Sequence, residues 1–197
     1  MQDFVRVDVS ACLMGAFLLL TLPLNWLLSA LAAAAFHELC HGAAILLLGG
    51  RIWGVRISAG GAVMETEPLS SGKELVCALA GPAGSLLLVL MFRVFPRVAV
   101  CALVQAAFNL LPVFPLDGGR ALRAGLCLVL PLGRAEAVSN VVSLAVCAAG
   151  LAGAVFCART YALGFAPIAV WFVVLMRVLL YGREEGLVSR ASVRYNK

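Results

Sequence analysis

The stretch Trp26 to Leu48, WLLSALAAAAFHELCHGAAILLL, decides how this chain folds. A helix needs about 20 apolar residues to cross the hydrocarbon core of a bilayer, and this run supplies them. Yet it carries His37, Glu38 and His41 near its middle. Ionisable groups are costly at membrane depth and normally face a cavity or a partner. On a helix, residues i and i+4 share a face, about 6 Å apart along the axis, so the two imidazoles can converge on one metal ion. Glu38 cannot easily bind the same ion, but it can reach a water held there and act as general base. A bare HExxH pattern arises by chance in many proteins. Here it lies within an apolar span, its histidines are the only two in the chain, and Ala32 to Ala35 before it permit close helix packing around a shielded site. The plainer alternative is a pair of polar residues tethering helices.

The composition agrees with a membrane setting. Of 197 residues, 63% are hydrophobic and 13% charged, with a mean hydropathy of +1.03, whereas a soluble domain keeps roughly a quarter of its residues charged. An all-α polytopic membrane protein is expected. Its apolar runs give about six spans, five or seven being compatible: Val9 to Leu24, Trp26 to Leu48, Glu74 to Phe95, Val98 to about Leu111, Ala137 to Cys157, and Ala162 to Tyr181. Ala121 to Leu132 is short for a span and reads as a half-helix or a continuation of the fourth. Residues 1–181 form one membrane-embedded core, and 182–197 a short polar tail. Asp3, Arg6 and Asp8 precede the first run with no clear cleavage site after it, so that run is expected to be retained.

The net charge of +5 does not point to nucleic acid, because the basic residues lie beside apolar spans, where they set orientation and meet anionic headgroups. With six spans and an internal N-terminus, Arg6, Arg51, Arg56, Lys73, Arg120, Arg123, Arg134, Arg177, Arg183, Arg190, Arg194 and Lys197 fall inside. Only Arg93, Arg97 and Arg159 fall outside. Both termini are therefore expected in the cytoplasm. The cysteines lie in or beside apolar segments without CxxC pairing and read as small buried hydrophobes.

Between spans two and three, Trp53, Val55 and Ile57 alternate with smaller or polar residues, Ala59-Gly60-Gly61-Ala62 resembles a turn, and Val63, Met64 and Thr66 follow. A small β-hairpin is expected there, an ordinary connecting loop being the alternative.

A catalytic zinc site needs a third protein ligand and an open position for water. Of the other carboxylates, only Asp117 has a special context, Asn109-Leu110-Leu111-Pro112-Val113-Phe114-Pro115-Leu116-Asp117-Gly118-Gly119. Pro112 and Pro115 break the helix, and irregular backbone at membrane depth is tolerated where it lines an enclosed or watery cavity. Asp117 is the expected third ligand, the alternative being a loop aspartate near Arg120. The Asn109 amide suits a developing oxyanion or a substrate backbone, or else an interhelical hydrogen bond. Cys40 reads as a neighbour, because a thiolate fourth ligand would close the site to water.

HELCH followed by NLLPVFPLDGG resembles the site-2 protease family of intramembrane zinc metalloproteases, over most of the chain. The resemblance implies one Zn²⁺ held by His37, His41 and Asp117, with Glu38 as catalytic acid-base. Asn109, Pro112 and Pro115 match the family's active-site polar and proline positions, and Gly81 and Pro82 a packing step near the catalytic core. The compact layout is similar to the sporulation-factor-processing branch, without a PDZ or CBS domain. The implied activity is hydrolysis of a peptide bond in or near the transmembrane segment of a membrane-anchored protein, such as a transcription factor precursor or an anti-sigma factor. The implied setting is a bacterial inner or plasma membrane. A non-proteolytic zinc-binding scaffold or transporter is the competing class, disfavoured by the presence of Glu38 and by the absence of repeat symmetry.

Overall fold

The structure is a computed structural model, and it describes residues 4–58, 61–161, 164–165, 167–176 and 178–179. It is mostly helical with one small sheet, and its residues cluster into two units, Met1–Leu110 and Leu111–Lys197.

In the first unit the chain runs β1 (Val5–Val7), α1 (Val9–Thr21), α2 (Leu24–Leu47), β2 (Ile52–Ser58), β3 (Gly61–Thr66), α3 (Ser71–Val89) and α4 (Pro96–Asn109). The alternation of Trp53, Val55 and Ile57 does produce a strand. It pairs antiparallel with β3, Val55 opposite Met64 and Ile57 opposite Ala62. Residues 59 and 60 of the expected turn lie outside the described residues. β1 was not expected: Val5–Val7 pairs parallel with Val55–Ile57, so β2 is the central strand of three. The end of α2 is set by Gly49, whose φ of 76° is the left-handed conformation glycine adopts freely. Its N–H bonds the Leu46 carbonyl and that of Gly50 the Ile45 carbonyl, a double cap that stops the helix and turns the chain into β2.

Helices α2 and α3 run antiparallel and close together, because α3 offers glycine opposite Cys40 and His41 of α2. A β-carbon on Gly84 would overlap the Cys40 side chain, and one on Gly81 would overlap the His41 ring. Pro82, buried inside α3, removes one backbone donor from the helix.

In the second unit, α5 (Asp117–Cys127), α6 (Leu132–Tyr161) and α7 (Pro167–Met176) follow the proline-rich segment. The Ala121 to Leu132 run is thus mostly a short separate helix rather than a continuation of α4, because Pro112 and Pro115 interrupt the chain between them. Its Arg123 reaches Glu136 of α6 at 2.6 Å and stacks over Phe114 at 5.4 Å. Small residues again allow close approach, with Gly150 of α6 lying against the Trp171 ring.

The expectation of six spans is not confirmed. Among the described residues, three helices are long and apolar enough to cross a membrane: α2, α3 and α6. Helix α1 has 13 residues and α4 has 14, about 20 Å at 1.5 Å per residue against a core of about 30 Å. Pro23 stops the first, while Pro96 opens the second and Pro112 follows soon after its end. Of the sixth run, Pro167–Met176 is helical, and the 182–197 tail lies outside the described residues. Large apolar side chains face outward along these helices, among them Leu20, Leu47, Leu87 and Phe156, as a lipid-facing surface requires.

Candidate metal centre

The site starts on α2, where the four-residue spacing puts His37 and His41 on one buried face, 2% and 7% exposed. Packing against α3 then fixes each ring. His41 Nδ1 lies 2.7 Å from the Cys77 carbonyl, which can only accept, so Nδ1 carries the hydrogen and Nε2 carries the lone pair. His37 Nδ1 lies 2.9 Å from Ser85 Oγ, a hydroxyl with no solvent exposure. With Nδ1–H donated to that oxygen, His37 also presents Nε2. Cys77, Gly81 and Ser85 follow one another at four-residue intervals along α3: two orient the imidazoles, and the one between them makes room for a ring.

The two Nε2 atoms are 3.2 Å apart and the rings nearly perpendicular, at 81°. Two nitrogens bound at about 2.0–2.1 Å to one tetrahedral ion would stand about 3.3 Å apart. The pair therefore fits one zinc ion without rearrangement. Histidine ligands whose second nitrogen is held by a carbonyl or hydroxyl are the usual arrangement at metal sites. Glu38 lies between them on α2, half-buried.

Asp117 is the first residue of α5 and is buried. A carboxylate at a helix N-terminus is stabilised by the unpaired amides and the helix dipole. Arg120, one turn on, stands 3.5 Å from its Oδ1, a long and partly exposed pair. Ahead of it, the turn is anchored to α6. Ser143 Oγ accepts the Phe114 N–H at 3.0 Å and donates to the Ser139 carbonyl at 2.8 Å. A β-carbon on Gly119 would overlap the Val113–Phe114 backbone, so glycine is needed for the first turn of α5 to fold back on this segment. His37, His41 and Asp117 are each buried, and as a group they could hold a metal ion.

The remaining expected positions fall as follows. Asn109 is the last residue of α4, half-buried, and its amide makes no hydrogen bond among the described residues. Pro112 and Pro115 lie in the α4–α5 connection, half-buried, with a cis bond between Phe114 and Pro115. Gly81 and Pro82 are buried on α3. Cys40 is outside the metal cluster. Ser85 and Ser143 were not anticipated. Ser85 is the one hydroxyl between Glu74 and Val89 on α3, a signal that could have marked it.

No protein-family model matches the chain, and no curated protein matches it. Among solved structures it is similar to the site-2 protease from Methanocaldococcus jannaschii. The two share 18% identity over 89% of this chain and 89% of that one, with a TM-score of 0.63. The sequence resemblance and the three-dimensional one agree: this chain has the fold of a site-2 protease and carries His37, His41 and Asp117, each buried.

Proposed function

We propose that this chain is an intramembrane metalloprotease that hydrolyses a peptide bond in or near the transmembrane segment of a membrane-anchored protein. The observation that carries the proposal is the pair of Nε2 atoms held 3.2 Å apart, with Glu38 between their residues on one helix. His37, His41 and Asp117 would hold the ion, and their nitrogen and carboxylate donors suit zinc. When bound, zinc supplies Lewis-acid polarisation of the scissile carbonyl and makes a nearby water more acidic. Glu38 takes a proton from that water and delivers it to the leaving amine. The Asn109 amide hydrogen-bonds the substrate backbone or the developing oxyanion.

A transmembrane helix hides its peptide bonds, so the substrate must present an extended stretch. β2 is covered on both edges, so within the hairpin it is the outer edge of β3 that can take an added strand. This strand lies beside the site: a β-carbon on Gly42, next to His41, would stand 3.6 Å from the Met64 sulfur of β3. The six-span arrangement with both termini in the cytoplasm, in a bacterial inner or plasma membrane, completes the reading. Its support is the distribution of arginines and lysines.

The test is co-expression with single-span reporter proteins, comparing the parent chain with Glu38→Gln. Zinc is expected in both and cleavage only in the parent. Equal cleavage by both would overturn the mechanism. Zinc bound without cleavage of any reporter by either would favour the scaffold or transporter class.

A further inference from the structure

The three strands meet the helices at one level. β1 runs directly into α1, the end of α2 leads through residues 48–51 into β2, and β3 leads through residues 67–70 into α3. Helices α2 and α3 are long enough to span a bilayer, so the sheet between their ends lies where hydrocarbon gives way to headgroups. We infer that the outer face of this sheet binds the phosphate of an anionic phospholipid between Arg6 and Arg56, and that the bound headgroup holds β1 onto β2.

The register brings the two arginines together. Successive strand residues point to opposite faces. Met64 of β3 faces α2, where it lies against Gly42, and Val55 is its partner on β2. Arg56 belongs to the other face, and Arg6 is its direct partner in the parallel pairing. Neighbouring strands are about 4.8 Å apart, so the two side chains leave the sheet next to each other. Both are exposed, and neither has an ion pair among the described residues. Glu65 lies on the same face but stands opposite Gly54 rather than Arg56.

This arrangement calls for an anion. Like charges on neighbouring strands oppose their pairing, and β1 has only 3 residues to hold it in place. A phosphate shared by both side chains replaces that repulsion with attraction, and each planar guanidinium presents a fork that matches two phosphate oxygens.

The surroundings choose the source of the phosphate. Phe4, two residues before Arg6, is 57% exposed, Val63, opposite Arg56 on β3, is 45% exposed, and Trp53 is 62% exposed. Aromatic and basic side chains together suit the headgroup level of a membrane. A free phosphate would leave these apolar groups in water, whereas a lipid brings acyl chains with its headgroup.

The experiment places the full-length chain in nanodiscs of phosphatidylcholine, with or without phosphatidylglycerol, and follows amide exchange at Asp8 and Val55. Their N–H groups donate to the Ile57 and Phe4 carbonyls across the β1–β2 pair. Phosphatidylglycerol should slow both amides about tenfold, the mass-action factor at about ten times Kd. Arg6→Gln and Arg56→Gln should lose this gain, yet exchange no faster than the parent in phosphatidylcholine, because each also removes the repulsion. Arg97→Gln, which deletes an exposed charge from α4, should keep the gain in full. Slowing by phosphatidylglycerol that is equal in Arg56→Gln and the parent would overturn the inference. So would faster exchange of both glutamine variants in phosphatidylcholine, which would make the arginines purely structural. The same slowing by inorganic phosphate in phosphatidylcholine would assign the face to a free anion and overturn the lipid.

Discussion

Gly81 of α3 lies directly against the imidazole of His41, so closely that any β-carbon there would overlap the ring. The glycine is thus part of the metal site without contributing a ligand. Gly81→Ala should tilt His41 away from His37 and lower zinc affinity at least about tenfold. Gly153→Ala, where an added β-carbon meets nothing within 4 Å, is the control and should be neutral or slightly stabilising. Zinc titration against a chromophoric chelator reads both, and parent-like affinity in Gly81→Ala would refute this role.

Ser85 holds His37 as the Cys77 carbonyl holds His41, but only the serine can be changed by substitution. Ser85→Ala leaves the His37 Nδ1–H buried without its partner. Loss of such a partner typically costs 10–100-fold in metal affinity. Ser85→Ala should therefore weaken zinc binding by about that factor, and Ser85→Thr, which keeps the hydroxyl, should recover most of it. Affinity unchanged in Ser85→Ala would show that the helix backbone alone orients the ring.

The candidate metal residues were legible because their signals are local: a four-residue spacing on an apolar helix, and an aspartate after two helix-breaking prolines. The hairpin was legible because Trp53, Val55 and Ile57 alternate with period two. Other features depend on contacts distant in sequence. Ser85 gains meaning only once the register of α3 against α2 is known, and β1 exists because Val5–Val7 meets the free edge of β2. Hydropathy registered six apolar runs but not where each helix starts and stops. Prolines at 23, 96 and 112 shorten α1 and α4, which leaves three helices of spanning length among the described residues.

Ser143 should matter through the turn it holds. With its hydroxyl gone, the Phe114 N–H loses its acceptor, and an unsatisfied buried donor costs about 1–3 kcal/mol. Ser143→Ala should lower the thermal midpoint and, because Asp117 follows three residues after Phe114, reduce zinc affinity as well. Zinc added in excess should then raise the midpoint of the variant less than that of the parent at equal concentration. Equal gains in both proteins would confine Ser143 to a structural role.

The metal and Arg120 are both candidate partners of Asp117, and its own geometry separates them. At 3.5 Å, and with Arg120 about one-third exposed, the ion pair is screened by water and worth at most about 1 kcal/mol. The carboxylate itself is buried beside the helix N-terminus, where a neutral amide of the same shape would keep the helix but lose the charge. Asp117→Asn should therefore abolish tight zinc binding with little change in folding, while Arg120→Gln should leave zinc affinity within about threefold. The opposite pattern, zinc retained in Asp117→Asn and lost in Arg120→Gln, would make Asp117 a helix-end residue and require another third ligand. Measuring metal content and affinity for both variants at one pH decides between them, because neither measurement depends on knowing the substrate.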